Sequence, residues 1–344
     1  MKNNFLRKFS IFFFIGLITV FSFSCTNQRQ NYKFLSKKKI NVALVLSGPV
    51  TDSSWNEAAY NGLKRFQGDH KTDIAVVERV SLADSKEVFS GLAERKFDLV
   101  IGHGYEYGFV LRNLAEKYPE TFFCSIGGEE SHEPNLCSFK FKDEQYGYLI
   151  GIVAGLNTST NKVGIVVGKK LPSVERTIIG LRKGLKSVNP KADLVVSYIN
   201  TWNDIVKGRE AGIAQINTGV DVITHLADVS GIGVIKAAEE ADISVIGAIT
   251  DQHDLAPSTV ITSGIEDASQ LVYLVCEKYW ERTLEPRIYS YGLKDQIIDL
   301  TPSYGNIDPT TETKINRFKD QLSDFETSQE EALENARKSY KNHL

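Results

Sequence analysis

Ile40-Asn41-Val42-Ala43-Leu44-Val45-Leu46-Ser47-Gly48-Pro49-Val50-Thr51-Asp52-Ser53-Ser54-Trp55-Asn56 decides the fold. The run Val42–Leu46 is apolar without alternation, as a buried strand is. Gly48-Pro49 breaks it. Asp52, Ser53 and Ser54 are helix-capping residue types, and an amphipathic pattern follows to about Gln67. In an open α/β sheet such a turn lies at the carboxyl end of a strand, where ligands bind. Trp55 is therefore expected at that crevice, in the first helical turn and beside free backbone N–H groups. It can serve as a stacking surface for a flat ring with polar edges or as a staple of the turn onto the core. This stretch alone favours neither role.

Upstream, Lys2, Arg7 and Lys8 precede an apolar run from Ile11 to Phe23 that is short for a membrane span. Cys25 follows directly after the small residue Ser24. This arrangement resembles a bacterial lipoprotein signal, with Ser22 where such signals usually carry Leu. The resemblance implies a signal peptide over residues 1–24 and lipidation at Cys25. Residues 25–39 then form a polar, basic, flexible tether.

Downstream, apolar runs alternate with helical patterns. Strands are expected at Ile74–Val80, Leu99–Gly102, Phe122–Ile126 and Leu136–Phe139, with helices at Trp55–Gln67, Ser85–Glu94, Tyr107–Lys117 and Glu144–Leu156. A second series has strands at Val163–Val167, Leu194–Tyr198, Val222–Leu226, Ser244–Ala248 and Thr259–Thr262. Its helices are Ser173–Ser187, Asp204–Asn217, Gly231–Glu240 and Asp267–Arg282. Apolar strands between helices predict α/β lobes, each a mainly parallel sheet covered on both faces. The lobes are expected over 40–143 and 144–262, followed by a charged helical segment over 308–344. Ile288–Leu293 and Gln296–Leu300 read as a strand pair. Tyr146–Leu156, apolar all round with Gly147, Gly151 and Gly155, reads as a buried helix packed closely on a neighbour.

A net charge of -3, with Lys and Arg scattered, points away from nucleic acid. There is no C-x-x-C pair, so neither a metal nor a redox site is expected, and no cofactor. Cys124 and Cys137 are the plausible disulfide pair in an exported chain, with buried free thiols as the alternative.

Several strand ends carry candidate ligand contacts. Gly102-His103-Gly104-Tyr105-Glu106-Tyr107-Gly108 follows a strand and opens a helix. Its spacing and its place after the third strand depart from a dinucleotide fingerprint. Its glycines let the backbone approach a ligand, while Tyr105 and Glu106 offer a ring and a carboxylate. Trp202, in Tyr198-Ile199-Asn200-Thr201-Trp202-Asn203-Asp204, stands at a strand end read as matching that of Trp55. Two such indoles can hold a planar ring between them. Asp228 and Asp251 end later strands and can accept hydrogen bonds from ligand N–H or O–H groups. Lys169 can meet a polar ligand edge. No nucleophile elbow or zinc-protease motif accompanies His225, so no catalytic residue is assigned.

Together these segments resemble the basic membrane protein (BMP) family, the lipoprotein substrate-binding components of ABC importers related to purine nucleoside receptors. The matching stretches are Gly48–Asn56, Gly102–Gly108, Tyr198–Gly208, Ala227-Asp228 with Gly231 and Gly233, and Ile246-Gly247 with Asp251-Gln252. The resemblance implies a two-lobed type I periplasmic-binding-protein fold, with residues 263–307 returning across the hinge. It implies a purine ring between Trp55 and Trp202, with Asn56, Asp228 and Asp251 as polar contacts. Two positions depart from the nucleoside-binding pattern. Ile249 replaces an Asp that holds ribose hydroxyls, and Glu266 stands near a usual Lys, so a free base competes with a nucleoside as ligand. The expected protein is a monomer, lipid-anchored at the cell envelope, with a purine base or nucleoside and a membrane permease as partners. The alternatives are a nucleoside-processing enzyme and a ligand-sensing or surface protein on the same fold.

Overall fold

The computed structural model describes residues 39–323 other than residue 53. The expected signal peptide, Cys25, the tether and the part of the charged helical segment after residue 323 lie outside the described residues. Among the described residues no helix is long and apolar enough to cross a membrane.

The first lobe begins β1 (Ile40–Leu46), α1 (Trp55–Asp69), β2 (Thr72–Val77), α2 (Leu82–Glu94) and β3 (Leu99–His103). A single 3-10 turn over Tyr105–Tyr107 leads into α3 (Gly108–Ala115), β4 (Phe122–Ile126) and β5 (Leu136–Phe141). The second lobe runs α4 (Asp143–Asn157), β6 (Lys162–Val167), α5 (Pro172–Val188), β7 (Asp193–Tyr198), α6 (Ile205–Ile216), β8 (Val222–Leu226), α7 (Val229–Glu240), β9 (Ser244–Ile249) and β10 (Val260–Glu266). Then come α8 (Ala268–Trp280), β11 (Ile288–Tyr291), β12 (Ile298–Leu300) and a final helix over 309–323. The two six-stranded sheets have orders β11-β5-β4-β3-β1-β2 and β12-β10-β9-β8-β6-β7. The lobes are thus built alike, strand for strand. Every pairing is parallel except that of β12 with β10. Strands β1 and β3 to β5 are almost wholly buried, which accounts for their mainly apolar composition.

The chain crosses between lobes after β5, after β10 and again after β11. Helix α8 crosses back to pack on α1, where the Gly62 backbone lies against the Ser269 carbonyl and Tyr273 donates a 3.0 Å bond to Asp69. The expected strand pair of Ile288–Leu293 with Gln296–Leu300 does not form. Strand β11 joins β5 of the first sheet, and β12 joins β10 of the second. Each short strand closes an exposed sheet edge whose N–H and C=O groups would otherwise lack partners.

Helix α4 is buried as expected, and its neighbour is α5. A Cβ added at Gly147, Gly151, Gly180 or Gly184 would stand 1.9–2.2 Å from a carbonyl oxygen of the facing helix. The two backbones touch, and only glycine permits that approach.

Cys124 and Cys137 are free thiols, which corrects the disulfide expectation. They are register partners on the parallel strands β4 and β5, and both lie in the buried apolar core with Cys276. Burial pushes the Cys124 thiol well up, and its neighbour Cys137 adds to the shift.

Candidate functional site

The carboxyl ends of both sheets converge on one cavity of about 800 Å³, open mouth included. Its first-lobe wall is Ser47 after β1, Trp55 at the start of α1, Gly104, Tyr105 and Glu106 after β3, Gly127 after β4 and Phe141 at the end of β5, with Asp143 where the chain passes into α4. The second lobe supplies Leu171, Ser173, Val174 and Thr177 from the start of α5, Trp202 after β7, Leu226 and Asp228 after β8, Ile249 at the end of β9 and Glu266 at the end of β10. Of the residues singled out in the sequence, the expected contacts Trp55, Tyr105, Glu106, Trp202 and Asp228 meet here, with Ile249 and Glu266, the two departures from the nucleoside-binding pattern.

Trp55 is held by the turn before it. Asp52 accepts from the backbone N–H groups of Ser54, Asn56 and Glu57 at 3.0, 2.9 and 2.9 Å, which starts α1. The ring of His103 stacks under Trp55 at 4.1 Å between centroids, with the planes 23° apart. Its Nε2–H donates to the Trp55 carbonyl at 2.9 Å. Burial pushes His103 down to about 4, against the raising effects of the Trp55 carbonyl and Asp52. The ring is therefore neutral, a second aromatic layer behind the indole.

Trp202 is placed otherwise, and its strand end does not match that of Trp55. Strand β6, not β7, is the counterpart of β1 in the shared sheet order. From the edge strand β7, Trp202 reaches back over the end of β6. A Cβ on Gly168 would lie 2.0 Å from Trp202 Cε3, so the indole rests on bare backbone.

Four carboxylates line the cavity, and no lysine, arginine or histidine does so among the described residues. Glu106 folds over Gly104, where a Cβ would stand 2.7 Å from its Oε2. Gly104 has φ 151°, which also requires glycine. Burial raises Glu106, against its own backbone N–H and the more distant Lys169. Asp143 is pushed up to about 6 by burial even though Arg176 Nε donates to it at 2.8 Å. Asp228 is pushed up to about 7, first by burial and then by the charge of Asp52. It receives a 3.5 Å bond from the Ser54 hydroxyl of the other lobe. Its φ of 45° is a strained conformation for a residue with a side chain, of the kind that collects at ligand sites. Glu266 is raised well above the usual carboxylate range by burial and by Asp143.

Three residues expected as contacts lie outside the cavity lining. Asn56 is a buried strut whose side chain donates to Asp52 at 2.7 Å and accepts from the Gly48 N–H at 3.3 Å. Lys169 is exposed. Asp251 is exposed, takes the Tyr304 hydroxyl and accepts from the His253 N–H at 3.0 Å. Gln252 beside it turns inward instead, accepting from His225 Nε2–H and the Ala248 N–H at 2.9 Å each. Sequence reasoning missed Phe141 and Asp143 because it ended β5 at Phe139, and it gave the first turn of the helix from Ser173 no ligand role. It ended β10 at Thr262, which left Glu266 off the strand. The apolar-polar boundary blurs at both strand ends, but the rule that ligands meet strand carboxyl ends points to Asp143 and Glu266 once the strands are extended.

Fold and site define the class: a two-lobed type I periplasmic-binding-protein fold with its cavity at the facing strand ends. Residues 39–337 match the family model described as "Bmp: ABC transporter substrate-binding protein PnrA-like", and the chain belongs to that family. It is 28% identical to the CD4+ T-cell-stimulating antigen of Listeria monocytogenes, over 94% of this chain and 97% of that protein. It is also 28% identical to basic membrane protein A2 of Borrelia garinii subsp. bavariensis, over 82% of this chain and 85% of that protein. A crystal structure of ABC transporter solute-binding proteins from Aeropyrum pernix matches with a TM-score of 0.76 at 22% identity, over 85% of this chain and 92% of that one. A transcriptional activator of the comK gene from Bacillus halodurans matches at 0.71 and 26% identity, over 82% and 97%.

Proposed function

We propose that this chain captures a planar, purine-type ligand in the cavity between Trp55 and Trp202 and delivers it to an ABC permease, without changing it chemically. The reading rests on one observation above others: two indoles from different lobes line one cavity whose charged groups are all carboxylates. Closure of the lobes around a ring then strips water from the stack and strengthens its polar contacts. Ligand contacts fall to Trp55, Tyr105, Glu106, Trp202 and Asp228, joined by Asp143 and Glu266. Catalysis is disfavoured because His103 and His225 are buried, neutral near pH 7 and tied to the Trp55 carbonyl and Gln252. Neither is free to act as a general base.

Stacking on an aromatic is worth about 1–3 kcal/mol per base. Trp202→Ala is expected to weaken binding at least tenfold in calorimetric titration, and an unchanged affinity would sink the stacking model. Release of free base from adenosine or inosine would instead establish an enzyme. Acylation at Cys25 would hold the chain at the membrane. Metabolic labelling with palmitate tests this, with Cys25→Ser as the unlabelled control. A sensing role is the second reading, favoured by the likeness to the comK activator.

A further inference from the structure

We propose that the cavity selects a ring bearing positive charge, an N-protonated or N-alkylated heterocycle, over the neutral ring of the same shape. The inference rests on reading the cavity as the ligand site, and it concerns the charge of the ligand.

Carboxyl groups gathered in one buried cavity oppose one another's ionisation until a positive charge joins them. Glu106, Asp143, Asp228 and Glu266 reach the cavity from four strand ends in two lobes. A cationic ring lets them ionise and pair with it, whereas a neutral ring leaves each to disfavour the charge of the others. Glu266 decides the matter. It is only 8% exposed, it lines the cavity, and its carboxylate has no donor among the described residues. A buried acid without a counter-charge stays protonated, and a cationic ring supplies the charge against which it ionises. Asp228 is nearly as poorly served, with the Ser54 hydroxyl at 3.5 Å as its side-chain donor.

The surrounding charges do not fill that role. Arg176 is engaged by Asp143 at 2.8 Å and Glu129 at 3.1 Å, and Lys140 by Glu129 at 2.6 Å. Lys169 is exposed and acts on Glu106 from a distance. Asp52 behind Asp228 and Tyr146 behind Glu266 add no positive charge. The starts of α1, α4, α5 and α7 also border the cavity, and the first turns of α1, α4 and α5 carry Glu57, Asp143 with Glu144, and Glu175. Around the carboxylates stand Trp55, Tyr105, Phe141 and Trp202. Aromatic faces attract cations, more strongly once water is removed. The rings and the carboxylates therefore favour the same ligand charge.

The test titrates the full chain, freed of co-purified ligand, at pH 7 with three matched pairs. These are adenosine with 1-methyladenosine, guanosine with 7-methylguanosine, and nicotinamide with N-methylnicotinamide. At least one cationic member is expected to bind tenfold or more tighter than its neutral parent. Glu266→Gln should remove that preference while the neutral parent binds as well or better, and Asp228→Asn repeats the test should Glu266→Gln fail to fold. Neutral parents binding as tightly as their cations would overturn the proposal and leave the purine reading standing. Preference for N-methylnicotinamide with every nucleoside silent would support the proposal and overturn the purine reading. Silence from all six overturns both.

Discussion

The two lobes share a strand order and use it differently. In the first, the loop after β1 is long and wound around Asp52, which starts α1 and sets Trp55 on a neutral histidine. In the second, the equivalent loop after β6 begins at the bare backbone of Gly168, and the indole comes from the neighbouring edge strand. One wall of the cavity is therefore built by a helix cap and the other by an empty space that a distant side chain fills. A duplicated scaffold positions strand ends, and the loops determine what stands on them.

This asymmetry predicts unequal responses to mutation. The largest is at Asp52, which accepts three backbone bonds and one from Asn56. Asp52→Ala should destabilise the chain by about 2 kcal/mol, the upper end for a cap. The second-lobe cap Asp204 accepts one bond, from the Lys207 N–H at 3.0 Å, and its alanine variant should lose about 1 kcal/mol or less. Equal losses in urea denaturation would erase the contrast between the walls.

Next is Gly168→Ala. The new methyl would occupy the place of the indole, so ligand affinity should fall about tenfold, or 1.4 kcal/mol, with the circular dichroism of the fold retained. Gly127→Ala on the other wall has its nearest Trp55 atom at 3.9 Å, so it leaves that ring in place. It is strained by its φ of 78° and should show in stability rather than affinity. Loss of affinity in Gly127→Ala but not in Gly168→Ala would reverse the assignment.

The smallest effect is on pH dependence. Asp228 is pushed up to about 7 in the folded chain against an ordinary 3.8, so folding takes up a proton as the pH falls through about 7. Lowering the pH from about 8 to about 6.5 should raise the melting temperature of the ligand-free chain. Below that, His103 and His225 oppose the trend. Their folded values are near 4 against 6.5, so the unfolded chain binds their protons first and acid destabilises. Asp143, near 6, and Glu266 continue to favour the folded state there, and the curve should flatten. In Asp228→Asn the rise above pH 6.5 should shrink. A wild-type melting temperature that falls between pH 8 and 6.5 would mean that Asp228 is ionised in the folded state.

Legibility followed the range of the interactions. Strands β1, β4 and β8 were readable nearly to the residue, because burial on both faces keeps most of each run apolar. Ends of strands at the cavity were not readable, since a site residue such as Asp143 or Glu266 looks like a solvent-facing one until its neighbours are known. Asn56 and Asp52 show the converse. Both have capping chemistry, but only the folded turn shows that the Asn56 amide is tied up by Asp52 and Gly48.

The sequence by itself determined the two α/β lobes, the close packing of α4 on a neighbour written in its glycines, and the presence of aromatic and acidic residues at strand ends. Those features depend on local periodicity and residue chemistry. Only the tertiary structure decided that β11 and β12 belong to different sheets, that Trp202 lies over Gly168, that Asp251 faces Tyr304, and that four carboxylates share one cavity. Each depends on contacts between segments far apart in the chain, and no local pattern encodes the identity of a partner brought close by three crossings between lobes.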